Sequence, residues 1–297
     1  MTNHADNRGP VADRLLEGSM RRSFDSDIDV DFDEPADPDK FYLPPEVISL
    51  YGTKLWAQMD HQQRVDLSRH EIANLLSRGI WFENTLNQGL LRAMMYQDPT
   101  SRHVHYALTE LGDETRHMIM FGRTVAALGV RPYRLSRLGS LAVNLFPTAY
   151  KGLFLWVAAL VGEEILDDAQ KRLSHHPDLQ PLIQQVMRIH VTEEARHIRF
   201  AREGVRRKVL RAPWWERAFA ATANGGGAFV VYGMFINPAV YRRVGLNPWQ
   251  AWYQAHRNEL VNARRRETFE PLDRFLTEHG LMNPFSRWAW RVTGFKR

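Results

Sequence analysis

Two short motifs repeat in the chain with a constant offset of 80 residues. Glu114 and His117 form the first Glu-x-x-His pair, Glu194 and His197 form the second, and both read Glu-x-Arg-His. Residues three apart share one face of a helix, so each pair presents a carboxylate and an imidazole to one point. One such pair is common on helix surfaces, but two in the same register predict a shared site.

A carboxylate precedes each pair at the same distance. Glu83 lies 31 residues before Glu114, and Glu163 lies 31 residues before Glu194. When such residues stand on two antiparallel helices with the turn midway between them, a rise of about 1.5 Å per residue brings both to the same height. The spacing therefore predicts that four carboxylates and two imidazoles converge at one level of a helical bundle.

The hydrophobic pattern from Asp66 onward is helical, because apolar residues recur at spacings of three and four. We expect four long helices at 66–97, 101–128, 146–174 and 179–210, with breaks at 98–100, 129–139 and 174–181. Shorter helices are expected near 214–235, 248–262, 267–279 and 284–291. This order of elements predicts an all-α four-helix bundle with additional C-terminal helices.

The side chains that meet at this level favour a site for two metal ions. Ferritin-like bundles hold such a pair with a Glu from each of two helices and Glu-x-x-His from each of the other two. The chain has no cysteine, which excludes disulfides, zinc fingers and iron–sulfur clusters on its own thiolates. Carboxylate and imidazole suit iron, or manganese in its place. We therefore expect a ferritin-like fold that holds two iron ions.

The neighbours of Glu83 and Glu163 indicate that both carboxylates are buried. Residues 80–82 before Glu83 are Ile, Trp and Phe, and Glu163 also stands on an apolar stripe. An ionised carboxylate there is costly unless it is paired or bound to a metal. Glu164 competes with Glu163, but residues 167–168 on its face are acidic. Glu163 is therefore the predicted ligand.

His190 is a seventh candidate ligand. It lies four residues before Glu194 and seven before His197, on the same helical stripe. Its counterpart under the offset of 80 is Glu110, so the two metal positions are expected to differ.

Asp113 and Glu193 each precede a candidate ligand glutamate. One role for them is to accept a hydrogen bond from a ligand histidine on the facing helix, which fixes the tautomer of the imidazole. The other is a salt bridge with Arg116 or Arg196, and the sequence does not decide between them.

The first 40 residues carry 11 acidic and five basic side chains, with eight of the acidic ones between residues 25 and 39. We expect residues 1–40 to be a disordered acidic tail, since such a segment buries too little apolar surface to order itself. Residues 41–297 then form the ferritin-like domain, with a net charge of +11. Its basic residues are scattered, which favours solvated helix faces over a nucleic-acid site.

The polar N-terminus lacks a secretory signal, which predicts a cytoplasmic location. The longest apolar run, residues 152–162, is far shorter than the roughly 20 residues of a membrane-spanning helix. We therefore expect a buried helix there and no membrane span.

With these motifs in place, the chain resembles the di-iron N-oxygenases typified by the p-aminobenzoate N-oxygenase of bacterial natural-product pathways. The resemblance is carried by Glu83, Glu114-x-x-His117, Glu163 and His190-x-x-x-Glu194-x-x-His197. It extends over residues 41–297 and includes Asn237-Pro238, Gly245-Leu246 and Asn247-Pro248 near the C-terminus.

The resemblance implies that all seven residues bind iron and form the catalytic centre. It also implies that the reduced iron pair activates O2, the co-substrate, and oxidises an aryl amine through a hydroxylamine towards a nitro product. The chain has neither cysteine nor a Gly-rich dinucleotide motif, because Gly225-Gly226-Gly227 follows no predicted strand. We therefore expect an external electron donor such as a ferredoxin with its reductase, a small-molecule substrate and no nucleic acid; a homodimer is compatible with this interpretation.

Other interpretations share part of the pattern. Ribonucleotide reductase small subunits and acyl-carrier-protein desaturases have the six-ligand pattern but are not expected to add His190. A ferritin-like iron-binding protein without catalysis and a metal-free helical scaffold are the remaining alternatives.

Overall fold

The computed structural model describes residues 9–297, except for the side chains of Leu138, Ala142, Val143, Phe146, Leu166 and Asp168. Residues 1–8 of the predicted tail lie outside the described residues, as do the side chains of Leu166 and Asp168 beside the predicted site. Over residues 9–297 the regular structure is helical, and one isolated bridge pairs Phe41 with Leu179. This confirms the predicted all-α fold.

Thirteen α-helices follow one another in the described chain. They are α1 (Gly9–Arg21), α2 (Ser26–Asp29), α3 (Lys54–Gln58), α4 (His61–Met94), α5 (Arg102–Ala127), α6 (Arg137–Ala149), α7 (Gly152–His175), α8 (Pro181–Arg211), α9 (Trp214–Phe235), α10 (Pro238–Arg243), α11 (Pro248–His256), α12 (Glu259–Glu278) and α13 (Pro284–Val292). A short 3-10 helix, Pro45–Val47, precedes α3.

Helices α4, α5, α7 and α8 form the four-helix bundle. Helices α4 and α8 each pack on both α5 and α7. Short connections join α4 to α5 and α7 to α8, as predicted for two antiparallel hairpins. Local sequence fixes where α4 begins, because the Asp60 carboxylate accepts a hydrogen bond from the Gln63 backbone N–H at 2.8 Å while the Gln63 side chain accepts one from the Asp60 N–H at 3.0 Å.

The predicted helix at 146–174 is wrong in its first turns. Helix α6 ends at Ala149 and α7 begins at Gly152, whose φ of +54° is accessible mainly to glycine. The Glu216 carboxylate accepts a hydrogen bond from the Leu153 N–H at 2.6 Å and so caps the new helix. A distant residue therefore fixes this boundary, which local periodicity does not reveal.

The prediction of disorder is wrong for residues 9–40. Helix α1 packs on α5 and α8 and buries Ala12 and Leu15 in the bundle core. Farther along, Gln180 donates hydrogen bonds to the backbone carbonyls of Asp37 and Lys40, at 2.7 and 2.8 Å. The acidic side chains of this segment can stay in water while its backbone and its few apolar residues are fixed against the bundle.

The segment Trp214–Arg243 is long and apolar enough to cross a membrane by length and composition alone, with a mean hydropathy of 1.3. In the structure 44% of its most apolar stretch is buried, and α9 packs on α7 and α13.

The core consists of two apolar clusters, one towards each end of the bundle. On α4, Leu76 belongs to one cluster and Leu86 to the other, and on α8 Ile189 and Phe200 are divided in the same way. The level between the clusters holds the polar residues that the sequence singles out.

Candidate metal centre

The structure brings all seven candidate ligands to one level of the bundle. Potential ligand atoms form two groups, each with its atoms within 4.8 Å of one another. One group is Glu83, His117, His190 and Glu194, and the other is Glu114, Glu163, Glu194 and His197. Glu194 belongs to both groups, so its carboxylate stands where it can bridge two ions.

Burial of the seven side chains is almost complete, with exposed fractions between 0% and 5%. Each helix of the bundle supplies part of the set: α4 and α7 one carboxylate each, α5 a Glu-x-x-His pair, and α8 a Glu-x-x-His pair with His190. Because the donors lie on four rigid helices, the site is positioned by the same packing that holds the bundle together.

Several inward-facing atoms of the cluster lack a hydrogen-bond partner within the described part of the chain. They are Glu83 Oε2, Glu163 Oε1 and Glu194 Oε2, whereas Glu114 Oε1 lies 2.6 Å from His197 Nδ1. Buried polar atoms are normally satisfied, and leaving three carboxylate oxygens unpaired in one place is costly. Two divalent cations would satisfy them, since oxygen and imidazole nitrogen are suitable donors.

The outer nitrogens of His117 and His197 are held across the helix pair. His117 Nε2 lies 2.9 Å from Glu193 Oε2, and His197 Nε2 lies 3.3 Å from Asp113 Oδ2. Donation from Nε2–H to these carboxylates would fix the tautomer of each ring when a metal ion replaces the proton on Nδ1, which faces the centre. Asp113 and Glu193 also form salt bridges, since Arg196 lies 3.3 Å from Asp113 and 3.7 Å from Glu193. Each carboxylate therefore both holds a histidine and pairs with an arginine.

His190 is oriented differently, by a residue that the sequence analysis missed. Its Nδ1 lies 2.9 Å from Oε1 of Gln170, a buried residue of α7, while its Nε2 lies 3.3 Å from Glu194 Oε1 and 3.7 Å from Glu83 Oε1. Gln170 follows Glu163 by seven residues, so helical spacing was the available signal. The third imidazole is thus held by a neutral amide.

Glu110, the counterpart of His190 under the offset of 80, stays outside both groups of donors. Its carboxyl group is buried, and burial raises its pKa to about 8. The predicted inequivalence of the two positions therefore follows: one group has two imidazoles and two carboxylates, the other one imidazole and three carboxylates.

Burial and mutual contacts shift the pKa values of the candidate ligands. Burial raises the pKa of Glu83 and of Glu163 well above the usual range, which favours the neutral acids. The pKa of Glu114 is instead lowered to about 2. Burial and Glu194 act to raise this pKa, but the interactions of Glu114 with His197 and His117 outweigh them. Hydrogen bonds and neighbouring carboxylates overcome burial and raise the pKa values of both His117 and His197.

Glu163 and Glu164 have separate partners. Glu163 belongs to the second donor group, whereas both carboxylate oxygens of Glu164 pair with the guanidinium of Arg202 on α8. The structure thus places Glu163, which the 31-residue spacing selects, among the candidate ligands, and Glu164 points towards Arg202 instead.

A small cavity of about 30 Å³ adjoins the cluster. Its polar side consists of Glu83, Glu163, Gln170 and His190, and the rest consists of apolar residues of α4, α5, α7 and α9, among them Phe82 and Met234. A water needs about 10–15 Å³, whereas a cavity that binds benzene measures about 150 Å³. The space therefore suits a diatomic molecule and is too small for an aromatic ring.

Comparison with known proteins identifies a family that matches most of the chain. The family described as P-aminobenzoate N-oxygenase AurF matches residues 5–280. An uncharacterised protein of Mycobacterium tuberculosis is 29% identical over 94% of this chain and 84% of its own length. An uncharacterised protein of Mycobacterium bovis is 28% identical over the same shares.

Two solved structures of R2-like ligand-binding oxidases are weakly similar to this chain. Both are point mutants, one with an aerobically and one with an anaerobically reconstituted Mn/Fe cofactor. The first has a TM-score of 0.45 and 12% sequence identity over 98% of this chain and 91% of that chain. The second has a TM-score of 0.44 at the same identity.

Proposed function

The chain belongs to the P-aminobenzoate N-oxygenase AurF family, and from this premise we propose that it is a di-iron oxygenase that oxidises the nitrogen of an aryl amine. Family membership and the buried donor set support a di-metal oxygenase or oxidase. The amine substrate, the hydroxylamine or nitro product and the use of O2 belong to the proposal.

The observation that carries the proposal is the pair of donor groups that share Glu194. Seven buried donors, of which three are imidazoles and none is a thiolate, favour iron, with manganese as the alternative. Bound in this site, a reduced iron pair supplies two electrons for the activation of O2.

The residues of the chain position and insulate that chemistry. Glu193 and Asp113 hold the ring planes of His117 and His197, and Gln170 holds that of His190. Apolar packing above and below the cluster excludes water, which protects a reactive oxidant from side reactions. The two imidazoles of the first donor group give that position less ligand negative charge than the other.

The small cavity supports entry of O2 beside Glu83, Glu163 and His190. An aryl amine requires a wider space, so we propose that side chains of the apolar wall move when the substrate binds. Phe82 and Met234 form part of that wall, and Phe82 packs so closely on Gly162 that a Cβ there would lie 1.5 Å from the ring.

The proposed reaction consumes electrons, and the sequence has no Gly-rich motif for binding a pyridine nucleotide. An external one-electron carrier, such as a ferredoxin with its reductase, is therefore part of the proposal. A cytoplasmic location and assembly as a homodimer remain predictions.

The test is product analysis with isotopically labelled oxygen. Iron-loaded, chemically reduced protein is mixed with 18O2 and a panel of aryl amines, and the products are identified by mass spectrometry. We expect label in an oxidised amine with the wild type and with Glu164→Gln, and a sharp loss with His190→Ala. Iron oxidation and storage without any labelled product would instead support a ferritin-like iron-binding protein, and label in a hydroxylated hydrocarbon would indicate a related hydroxylase.

A further inference from the structure

A large open cleft lies at one end of the bundle, away from the candidate metal centre. It measures about 1430 Å³ and is formed where α4 and α8 end and where α5 and α7 begin. On α8 the cleft reaches Gly204, seven residues beyond His197, which corresponds to about 10 Å along the helix axis. The cleft thus opens to solvent while its floor approaches the buried cluster.

The cleft is strongly basic. Five cationic side chains line it: Arg92, Lys151, Arg207, Lys208 and Arg211. Two carboxylates also line it and both have partners, since Glu216 accepts the hydrogen bond from the Leu153 N–H and Glu203 lies 3.7 Å from Arg207. A net charge of +3 in a concave surface attracts an acidic partner over distances near the Debye length.

Large apolar side chains stand exposed at the same end of the molecule. Met95 and Tyr96 line the cleft with 74% and 87% of their surface exposed. Leu210 and Trp214, which flank the lining residues Arg211 and Ala212 in sequence, are 85% and 80% exposed. Aromatic residues and Met beside basic groups are typical of protein interfaces, and a small anion in the cleft would leave this rim uncovered.

Aromatic rings connect the floor of the cleft to the metal-site level. Trp156 lines the floor, and its indole packs so closely on Gly204 that a Cβ there would lie 2.1 Å away. The ring centroids of Trp156 and Phe200 are 5.1 Å apart. Phe200 follows His197 by three residues on α8 and therefore lies on the same face of that helix. Trp156 and Phe200 thus lie between the floor of the cleft and the part of α8 that carries His197.

We propose that the cleft docks the acidic face of a one-electron carrier protein of the ferredoxin type, and that electrons pass through Trp156 and Phe200 towards His197. This inference rests on the proposed function, which requires an external reductant. Two carrier molecules each lose one electron in succession, and two ferric ions each gain one. No covalent bond forms or breaks in this step.

The first experiment measures docking independently of catalysis. A plant-type [2Fe–2S] ferredoxin is titrated by calorimetry into the full-length protein, with and without iron, at several salt concentrations. Reversal of two cleft charges, Lys208→Glu with Arg211→Glu, should weaken binding by about tenfold or more and reduce its salt dependence. The matched control, Arg242→Glu with Arg264→Glu, changes two exposed arginines outside the cleft and should leave binding unchanged.

The second experiment measures electron transfer by stopped-flow absorbance. Reduced ferredoxin should reduce the iron of the Trp156→Leu variant more slowly than that of the wild type, although ferredoxin binding is retained. Trp156→Phe should restore most of the rate, because it keeps an aromatic ring against Phe200. Dithionite with a small mediator should reduce all variants at similar rates, since it does not need the cleft.

The outcomes separate this inference from the proposed function. Equal ferredoxin affinity in the cleft variant and its control would overturn the docking site, as would calorimetric binding of benzoate, a small aromatic carboxylate, to the cleft with no binding of ferredoxin. Unchanged transfer rates in Trp156→Leu would overturn the electron path. Failure of chemically reduced, iron-loaded protein to consume O2 would contradict the proposed function while leaving the docking measurement valid.

Discussion

At the scale of single residues, Glu163 and Glu164 show how the helix distributes roles between neighbours. The first carboxylate lies among the candidate ligands, and the second forms its ion pair with Arg202. We expect Glu163→Gln to lose much of the bound iron, because an amide is a weaker ligand for a hard cation. Glu164→Gln should retain the iron, as measured by elemental analysis. Loss of iron in Glu164→Gln with retention in Glu163→Gln would make Glu164 the ligand on α7 and contradict the placement of Glu163 in the centre.

Protonation of the candidate ligands leads to a second residue-scale prediction. The pKa values of Glu83, Glu163, His117 and His197 are all raised, so these groups keep protons that a metal ion must displace. Loading two divalent ions should therefore release protons from these groups. Because acid favours the protonated ligands, metal affinity should fall as the pH falls.

Calorimetry of metal loading in buffers with different protonation enthalpies measures the number of protons released. A binding enthalpy that does not depend on the buffer, together with an affinity that is constant between pH 6 and pH 8, would show that the donors are already deprotonated. One pKa unit corresponds to roughly 1.4 kcal/mol, which sets the scale of the expected change in metal-binding free energy with pH.

At the scale of helices, the sequence predicts what periodicity and spacing determine. Helices α4, α5 and α8 have the predicted bounds within five residues, and the predicted range of α9 matches Trp214–Phe235. The break between α6 and α7 could not be predicted, because it depends on Glu216, which lies far along the chain. Helical spacing places Gln170 on the same face as Glu163, but its hydrogen bond with His190 becomes evident only when α7 and α8 are packed.

Close helix packing gives a prediction at this scale. Gly162 of α7 lies against the Phe82 ring, whereas Gly226 of α9 has no atom within 4 Å of an added Cβ. Gly162→Ala should lower the melting temperature, since the rigid ring must move and overpacking costs about 1–3 kcal/mol. Gly226→Ala should raise it, because alanine is favoured over glycine in a helix by about 1 kcal/mol. Equal shifts in thermal unfolding would contradict the packing of α4 on α7.

At the scale of the whole molecule, the acidic N-terminal segment belongs to the fold. Composition suggests a tail because eight acidic residues lie between 25 and 39. The apolar face of α1, however, finds its partner only on α5 and α8, and the sequence of the segment alone does not show that partner. The family match, which begins at residue 5, includes this segment.

Two substitutions in α1 test its docking. Leu15 is 5% exposed, and Leu15→Ala should reduce the free energy of unfolding by about 2–4 kcal/mol through lost burial and a residual cavity. Met20 is 76% exposed, and Met20→Ala should change stability by no more than about 0.5 kcal/mol. Denaturant unfolding measures both. Equal, negligible effects would mean that α1 does not pack on the bundle.

The central claim is that seven residues from four helices hold two iron ions. Anaerobic loading with ferrous iron, removal of unbound metal and elemental analysis of the whole protein test it most directly. We predict two iron ions per chain for the wild type, and loss of at least half of the iron in His117→Ala and in His197→Ala, each of which removes a ligand from one donor group. One iron per chain, or none, in the wild type would contradict the account.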